Sequence, residues 1–165
     1  MDELELIIAG AGPAGITAGI YAARKKMRFA ILTADVGGQA AWTNDIENYS
    51  GFRFISGPDL VAKFGEHLSQ FSIDLRTYEP VVSVRPGNGG FDIRTAKGSY
   101  RARTVIAASG RTPRRLGVEG EEAFRNRGVA FCATCDGPIF AGKDVLVAGG
   151  GNSGFYATLE LLKFA

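Results

Sequence analysis

The chain has 165 residues, of which 45% are hydrophobic, 22% charged and 10% aromatic, and its formal net charge is +2. This is ordinary globular composition, with enough residues for one domain with a real core. No run of like charges exceeds three residues, so the sequence shows no electrostatic footprint for nucleic acid or for a membrane surface.

The first elements in chain order are a predicted strand, helix and strand. Residues 4–10 (LELIIAG) are apolar and β-branched, which is typical of a buried parallel strand. Residues 14–26 (AGITAGIYAARKK) are rich in alanine and end in basic residues, which favours a helix. Residues 28–33 (RFAILT) predict a second strand. The crossover between the two strands implies a parallel sheet.

The uncharged run of residues 6–23 is long enough to suggest a membrane span or a signal peptide. The residues before it are acidic, where a signal peptide is basic, and glycine and proline interrupt the run between residues 10 and 15. We therefore interpret it as a buried strand, a tight turn and a packed helix. Without a signal, two cysteines in CxxC spacing predict a reducing, cytoplasmic location.

The middle of the chain is predicted to contain a long loop, a helix and a small antiparallel sheet. Residues 35–58 lack periodicity, and long irregular connections are often functional. Residues 57–71 place Leu60, Phe64, Leu68 and Phe71 on one face of a helix. Residues 80–109 predict a β-meander whose last strand returns to the parallel sheet.

The last third of the chain predicts the beginning of a second domain. Residues 113–120 are typical of a crossing between domains, and residues 143–154 (KDVLVAGGGNSG) predict a second strand, turn and helix. One strand and one helix cannot bury both faces of a sheet. We therefore expect either a fragment or a chain whose missing parts come from elsewhere, with domains over residues 1–113 and 114–165.

Glycine-rich turns are the main binding signal. The chain has 23 glycines, about twice the average share. Residues 10–15 (GAGPAG) match GxGxxG between a predicted strand and a helix. There the first glycine permits a tight turn, the second lets a pyrophosphate approach, and the third lets helix and strand pack; the alternative is a purely structural turn. The ribose partner is expected to be Asp35 or the hydroxyl of Thr33.

A second match, residues 149–154 (GGGNSG), follows another apolar segment. Two such fingerprints in one chain point to two dinucleotides, usually one flavin and one nicotinamide.

Both cysteines lie in residues 131–138 (FCATCDGP). Zinc needs about four ligands, and the chain offers two cysteines and one distant histidine. A disulfide across CxxC closes so small a loop that it constrains the unfolded chain little. Redox exchange is the remaining use, since the CxxC setting lowers thiol pKa values. Asp136 follows the second cysteine, and its side chain is either a proton shuttle or part of a turn dipeptide with Gly137.

Taken together, these motifs resemble the low-molecular-weight thioredoxin reductases over essentially the whole chain. The resemblance rests on residues 10–24, GGQ at 37–39, ENYSGF at 47–52, residues 107–121 and, most specifically, residues 128–154. It implies an α/β fold of Rossmann-like FAD- and NAD(P)-binding domains with βαβ units and a small meander, the second domain only begun. It also implies electron flow from NADPH to FAD, to the CxxC disulfide and on to thioredoxin or a thioredoxin-like protein, in a homodimer.

The resemblance also implies roles for individual residues. Cys135 would be the sulfur nearer the flavin, Cys132 would exchange with the protein substrate, and Asp136 would move the proton. The residues expected at FAD are Gly10, Gly12, Pro13, Ala14, Gly15, Thr33, Gly38, Gln39, Asn48, Val81, Ala108, Ser109 and Gly110. The residues expected at the nicotinamide dinucleotide are Gly149, Gly151, Asn152 and Ser153.

Three departures from the family pattern keep other functions open. The family's chains are roughly twice as long as this one. After the second fingerprint the family usually has a small residue and a pair of glutamates, whereas residues 154–158 of this chain are GFYAT and the first acid is Glu160. Some relatives of this kind use ferredoxin or reduced flavin as donor. Trp42 stands where threonines are usual, either near the flavin or in a surface loop. The alternatives are a ferredoxin-dependent reductase, a small-molecule dithiol oxidase, and a non-catalytic flavin-binding or dimerisation fragment.

Overall fold

The computed structural model describes residues 4–43 and 45–165, which group into two compact units. The first unit comprises residues up to 45 together with residues 54–112. The second unit comprises residues 46–53 and 113–165. Over the described ranges, no helix has the length and apolar character that a bilayer span requires.

The first unit contains one six-stranded mixed sheet in the order β3-β2-β1-β6-β5-β4. Its strands are β1 Leu4–Ala11, β2 Phe29–Val36, β3 Asp74–Arg76, β4 Val81–Gly87, β5 Gly90–Thr95 and β6 Ser99–Ala107. Pairing is parallel from β3 through β2 and β1 to β6, and antiparallel across β6, β5 and β4. The predicted parallel sheet and the returning last strand of the meander are therefore confirmed. The three-residue strand β3 was not predicted.

Two helices belong to this unit. Helix α1 spans Pro13–Arg24 and begins with proline at its first position, where the missing amide costs nothing. Helix α2 spans Gly57–Ser69, and the hydroxyl of Ser56 caps it by accepting a hydrogen bond from the amide of Asp59. The long loop before α2 includes a short 3-10 helix, Gly38–Trp42.

The core of the first unit lies on both faces of the sheet because successive side chains of a strand point to opposite sides. On one face, Leu6 and Ile8 belong to the apolar cluster that includes Ile16 of α1 and Leu68 of α2. On the other face, Ile7 clusters with residues of β2, β5 and β6. Each fully buried aliphatic side chain of this kind contributes about 1.5–3 kcal/mol, so burial of β1 on both faces supports the whole sheet.

A buried carboxylate, that of Glu79, connects the segment between β3 and β4 to the meander. Glu79 is 5% exposed. Its Oε1 accepts hydrogen bonds from the hydroxyls of Thr95 and Tyr100, and its amide donates to the carbonyl of Thr33 at 2.8 Å. The segment between β3 and β4 is thereby held at the carboxyl end of β2.

The second unit has little regular structure. Its elements are α3 Ala133–Asp136, a 3-10 helix Gly137–Phe140, and α4 Asn152–Leu161. The strand predicted before the second fingerprint is wrong, because residues 143–150 are irregular and Leu146 is 93% exposed. A strand needs a hydrogen-bonded neighbour, and the described residues of this unit provide none beside this segment.

We predict that Glu79 stabilises the fold in a pH-dependent way. Hydrogen bonds, first from Tyr100 and then from Thr95, lower the pKa of Glu79 below its usual value. Its contribution is therefore present above the pKa of an unfolded glutamate, about 4.3, and is lost as the pH falls through the lower folded-state pKa. At pH 7, Glu79→Gln should lower the free energy of unfolding by about 1–2 kcal/mol, measured by urea denaturation.

The difference between wild type and Glu79→Gln should shrink as the pH falls below about 4.3 and through the lowered folded-state pKa of Glu79, below which both proteins carry a neutral side chain. The matched control is Glu66→Gln, which removes only an exposed pair with Lys63 and should change stability by less than about 0.5 kcal/mol. A pH-independent loss in Glu79→Gln would contradict this explanation.

Candidate dinucleotide-binding and redox sites

The first fingerprint forms a tight turn between β1 and α1. Gly10 has a φ of 112°, which favours glycine. A Cβ at Gly10 would lie 2.3 Å from the carbonyl oxygen of Ala108, and one at Gly15 would lie 1.9 Å from the carbonyl oxygen of Gly10. These two glycines are therefore required by close backbone packing within the protein.

Gly12 differs from the two glycines on either side of it. It has extended backbone angles, φ −73° and ψ −177°, which any residue adopts. A Cβ there would meet only the carbonyl oxygen of Gly37, at 4.0 Å. Nothing in the described protein fills the space that the missing side chain leaves. That open space at the first turn of α1 is where a pyrophosphate could approach the backbone amides.

A second pair of glycines lies against this turn. The amide of Gly37 donates to the carbonyl of Ala11 at 2.8 Å, and a Cβ at Gly38 would lie 3.4 Å from the Cα of Gly12. Gly37 and Gly38 both have positive φ, 99° and 54°. The loop after β2 therefore brings bare backbone next to the fingerprint, and Gln39 follows, half-buried, in the 3-10 helix.

The remaining candidates of the first unit fall into three groups. Ala108 and Ser109 follow β6 against Gly10, and Gly110 comes next with a φ of 62°. Pro13 and Ala14 are exposed in the first turn of α1. Val81 packs at the start of β4 against the meander-side cluster. The structure thus brings Gly10, Gly12, Gly15, Gly38, Ala108 and Ser109 together, whereas Val81 lies on the meander side of the sheet.

Thr33 is not free to bind a ribose through a donated hydrogen bond. The residue is 5% exposed. Its hydroxyl accepts from the amide of Ala11 at 3.1 Å and donates to the carbonyl of Asp35 at 2.5 Å. The exposed Asp35 is therefore the better candidate to bind a ribose hydroxyl. Thr33 instead holds the end of β1 through its bond to the amide of Ala11.

The second fingerprint repeats the backbone geometry of the first. Gly149 has a φ of 130°, and a Cβ at Gly154 would lie 2.0 Å from the carbonyl oxygen of Gly149. Gly151 caps α4 with extended angles and open space around its missing side chain. Asn152 and Ser153 are exposed in the first turn of α4. The turn therefore forms even though the predicted strand before it does not.

The cysteines form a disulfide between Cys132 and Cys135, with Cα atoms 5.3 Å apart. Cys132 is half-buried and Cys135 is exposed. The amide of Cys135 donates to Sγ of Cys132 at 3.2 Å, and the amide of Asp136 donates to the carbonyl of Cys132 at 2.9 Å. The short turn of α3 thus presents both sulfurs and aims an N–H donor at Cys132.

The residue after Asp136 is a glycine, Gly137, for a reason of packing. Its backbone is helical, with φ −51° and ψ −46°, so it is not the positive-φ residue of a turn. A Cβ there would lie 3.1 Å from the ring of Phe164. The glycine therefore allows the redox segment to pack on the residues after α4, and the interpretation of Asp136 as part of a turn dipeptide loses its support.

The sequence is similar to that of known flavoprotein oxidoreductases. The family model described as pyridine nucleotide-disulphide oxidoreductase matches residues 4–165. The chain is 41% identical over 163 residues to the F subunit of the alkyl hydroperoxide reductase of Pseudomonas putida, covering 97% of this chain and 31% of that relative. It is 40% identical over 162 residues to the thioredoxin reductase of Bacillus subtilis strain 168, covering 98% and 51%.

The fold is similar to a solved thioredoxin reductase structure from Streptococcus pyogenes MGAS5005, with a TM-score of 0.89 and 42% identity. That match covers 98% of this chain and 53% of the other. The chain belongs to the pyridine nucleotide-disulphide oxidoreductase family. It spans about half the length of the thioredoxin reductases and about a third of the hydroperoxide reductase relative. The predicted Rossmann-like fold and the predicted family are confirmed.

Members of this family use FAD and NADPH, and the first fingerprint fits a dinucleotide. Gly12 leaves open space at the start of α1, and the first turn of that helix contains no acidic side chain to repel a phosphate. Asn48, another residue expected at FAD, belongs to the second unit, where it is exposed.

A structural carboxylate in the second unit, Glu121, was not predicted. Glu121 is 8% exposed and accepts hydrogen bonds from the amides of Leu116 and Gly117 at 3.0 and 2.8 Å. These bonds, Leu116 first, lower the pKa of Glu121 below its usual value. Glu121 stands among three glutamates at 119, 121 and 122, and no local pattern distinguishes the one that turns inward.

The glycine geometry predicts a large loss of stability for one substitution in this turn and almost none for another. Gly15→Ala should lower the free energy of unfolding by about 3 kcal/mol, because its Cβ would collide with backbone. Gly12→Ala should change it by less than about 1 kcal/mol, because its Cβ would meet open space. Thermal and urea unfolding of both variants measure this. Equal destabilisation by the two substitutions would contradict the structure of the turn.

Proposed function

We propose that this chain is the N-terminal part of a thioredoxin reductase-type flavoenzyme. Residues 1–113 would form the FAD-binding domain, and residues 114–165 would belong to the NAD(P)-binding domain and present the Cys132–Cys135 disulfide. The observation that carries the proposal is the combination, in one chain, of a dinucleotide cradle at Gly12 and a formed CxxC disulfide. FAD would supply an electron pair that reduces this disulfide.

The residues of the cradle would bind FAD through backbone groups. The space at Gly12 and the amides of the first turn of α1 would receive the pyrophosphate. Asp35 would accept a hydrogen bond from the ribose, and Gly38 and Gln39 would lie beside the same turn. Ala108, Ser109 and Gly110 would close it from β6, and Asn48 and Val81 would contact more distant parts of the cofactor.

The disulfide would carry the electrons to the acceptor. Two electrons and two protons convert Cys132 and Cys135 to thiols. The thiolate of Cys132 then attacks one sulfur of the acceptor's disulfide and forms a mixed disulfide. Cys135 then gives its proton to Asp136 and attacks Sγ of Cys132 as a thiolate. The acceptor sulfur leaves, takes up the proton, and is released as part of a dithiol, and the original disulfide is restored.

Two features of this chain support that division of roles. The amide of Cys135 donates to Sγ of Cys132, and such a donor stabilises a thiolate. Asp136 directly follows Cys135 and would take and return the proton during exchange. Cys135 would be the sulfur that faces the flavin.

The acceptor would be thioredoxin or a thioredoxin-like protein, and the enzyme would act as a homodimer. The names of the Bacillus subtilis and Streptococcus pyogenes proteins support a thioredoxin. The name of the Pseudomonas putida relative indicates that similar chains also act in alkyl hydroperoxide reduction. In either case the reduced Cys132 and Cys135 require an acceptor that contains a disulfide.

A second candidate concerns the electron donor. Phe155 and Tyr156 are 66% and 71% exposed on α4, directly after the second fingerprint, and with Asn152 and Leu159 they line a surface depression. Aromatic side chains in place of acids beside Asn152 favour a donor other than a nicotinamide, for example a reduced ferredoxin.

We predict that Cys132→Ser and Cys135→Ser each abolish disulfide reduction and leave FAD bound, because the cradle glycines and the cysteines are in different units. Flavin absorbance after gel filtration measures binding. Reduction of thioredoxin by the photoreduced flavoprotein under nitrogen measures transfer. Thr134→Ser is the matched control and should keep both. Full transfer by either cysteine variant would refute the assigned roles.

The donor is decided by anaerobic bleaching of the flavin. If NADPH is the donor, NADPH removes the flavin absorbance under nitrogen, and Gly151→Val, which fills the open space of the second fingerprint, should slow this reduction at least about tenfold. Bleaching by reduced ferredoxin without any by NADPH would overturn the nicotinamide assignment. Rapid oxygen consumption with a small dithiol would instead indicate the oxidase.

A further inference from the structure

Tyr78 is the outstanding residue of the loop between β3 and β4. Its side chain is 80% exposed, and its φ is 56°. A bulky residue rarely adopts this left-handed conformation, which glycine or asparagine would occupy more easily. An apolar ring left in water and a strained backbone occur here at the same position, so neither packing nor local propensity accounts for tyrosine.

The surrounding structure holds Tyr78 firmly in place. Its amide donates to the carbonyl of Ala34 at 3.2 Å, and the next amide, of Glu79, donates to the carbonyl of Thr33 at 2.8 Å. The carboxylate of Glu79 is in turn buried and hydrogen-bonded to Thr95 and Tyr100. A strained conformation persists where its surroundings over-determine it, and such positions cluster at ligand-binding sites.

The position of Tyr78 indicates the ligand. Ala34, its hydrogen-bond partner, directly precedes Asp35, the candidate for the ribose of a dinucleotide. In open α/β sheets, ligands bind beyond the carboxyl ends of the parallel strands, where the chain after β2 also lies.

We propose that the ring of Tyr78 is the platform on which the adenine of the bound dinucleotide stacks. This inference rests on the proposed function, since it assumes FAD at the first fingerprint. Adenine offers a flat π-face, and stacking on an aromatic side chain covers that face and the exposed ring together. Stacking involves the ring of Tyr78 and not its hydroxyl, so phenylalanine at this position should bind adenine equally well.

The test compares FAD affinities of apoprotein variants of the whole chain, titrated by flavin fluorescence. Tyr78→Gly should fold at least as stably as wild type, because it relieves the positive φ, and should bind FAD about 5- to 100-fold more weakly. Tyr78→Phe should bind within about twofold of wild type. The matched control is Tyr21→Ala, which removes a ring 62% exposed on α1 and should leave the affinity unchanged.

ADP, which contains the adenine but no flavin, should lose affinity by the same factor in Tyr78→Gly when it competes with FAD. Unchanged FAD affinity in Tyr78→Gly would overturn the inference while leaving the proposed function in place. An affinity loss for FAD without one for ADP would also overturn it, because Tyr78 would then contact another part of the cofactor. If wild type binds no FAD, the proposed function fails first and the inference falls with it.

Discussion

The structure depends on the close approach of the third glycine of each fingerprint to the carbonyl oxygen of the first. A Cβ at Gly15 or Gly154 would lie 1.9 or 2.0 Å from that oxygen, so only glycine allows the helix to begin directly over the turn. This contact sets the direction of α1 relative to β1. It also leaves the space around Gly12 and Gly151 open at the point where the helix amides are unpaired.

Within the first fingerprint, two glycines are required by packing inside the protein, and the glycine between them is left for the proposed ligand. Gly10 and Gly15 are fixed by backbone contacts inside the protein, whereas a Cβ at Gly12 would meet nothing closer than 4.0 Å. Gly37 and Gly38 extend the bare backbone from the second strand. The first unit therefore presents a turn made almost entirely of main chain, and we propose that this turn is the dinucleotide cradle. The second unit presents the two sulfurs, and the proposed flavoenzyme needs both.

Most of the first unit was predictable from local pattern. The strands β1 and β2 are continuous apolar runs, and the fingerprint between β1 and α1 follows a rule of backbone sterics, so these elements and the family could be recognised together. Strand β3 was missed because three residues, Asp74–Arg76, contain no periodicity. The segment around Leu146 has the apolar character of a strand, but strand formation depends on a neighbour that no local pattern reveals.

The supporting polar groups were not predictable for a related reason. Thr33, Glu79 and Glu121 are buried polar residues whose hydrogen-bond partners no local pattern reveals. Thr33 and Glu121 accept from backbone amides, and Glu79 accepts from hydroxyls. Thr33 was one of two residues expected at the ribose, with Asp35 as the other, and its hydroxyl bonds to the amide of Ala11 and the carbonyl of Asp35. Tyr78 likewise has no signal in the sequence, since its significance lies in its exposure and its positive φ.

The central claim is that FAD bound in the glycine cradle reduces the Cys132–Cys135 disulfide. The most direct measurement is to photoreduce the flavin-loaded chain under nitrogen and then to alkylate it and count modified cysteines by mass spectrometry. The account predicts two alkylated cysteines, at Cys132 and Cys135, and none when flavin is removed beforehand. A fully reduced flavin beside an unalkylated, intact disulfide would contradict it.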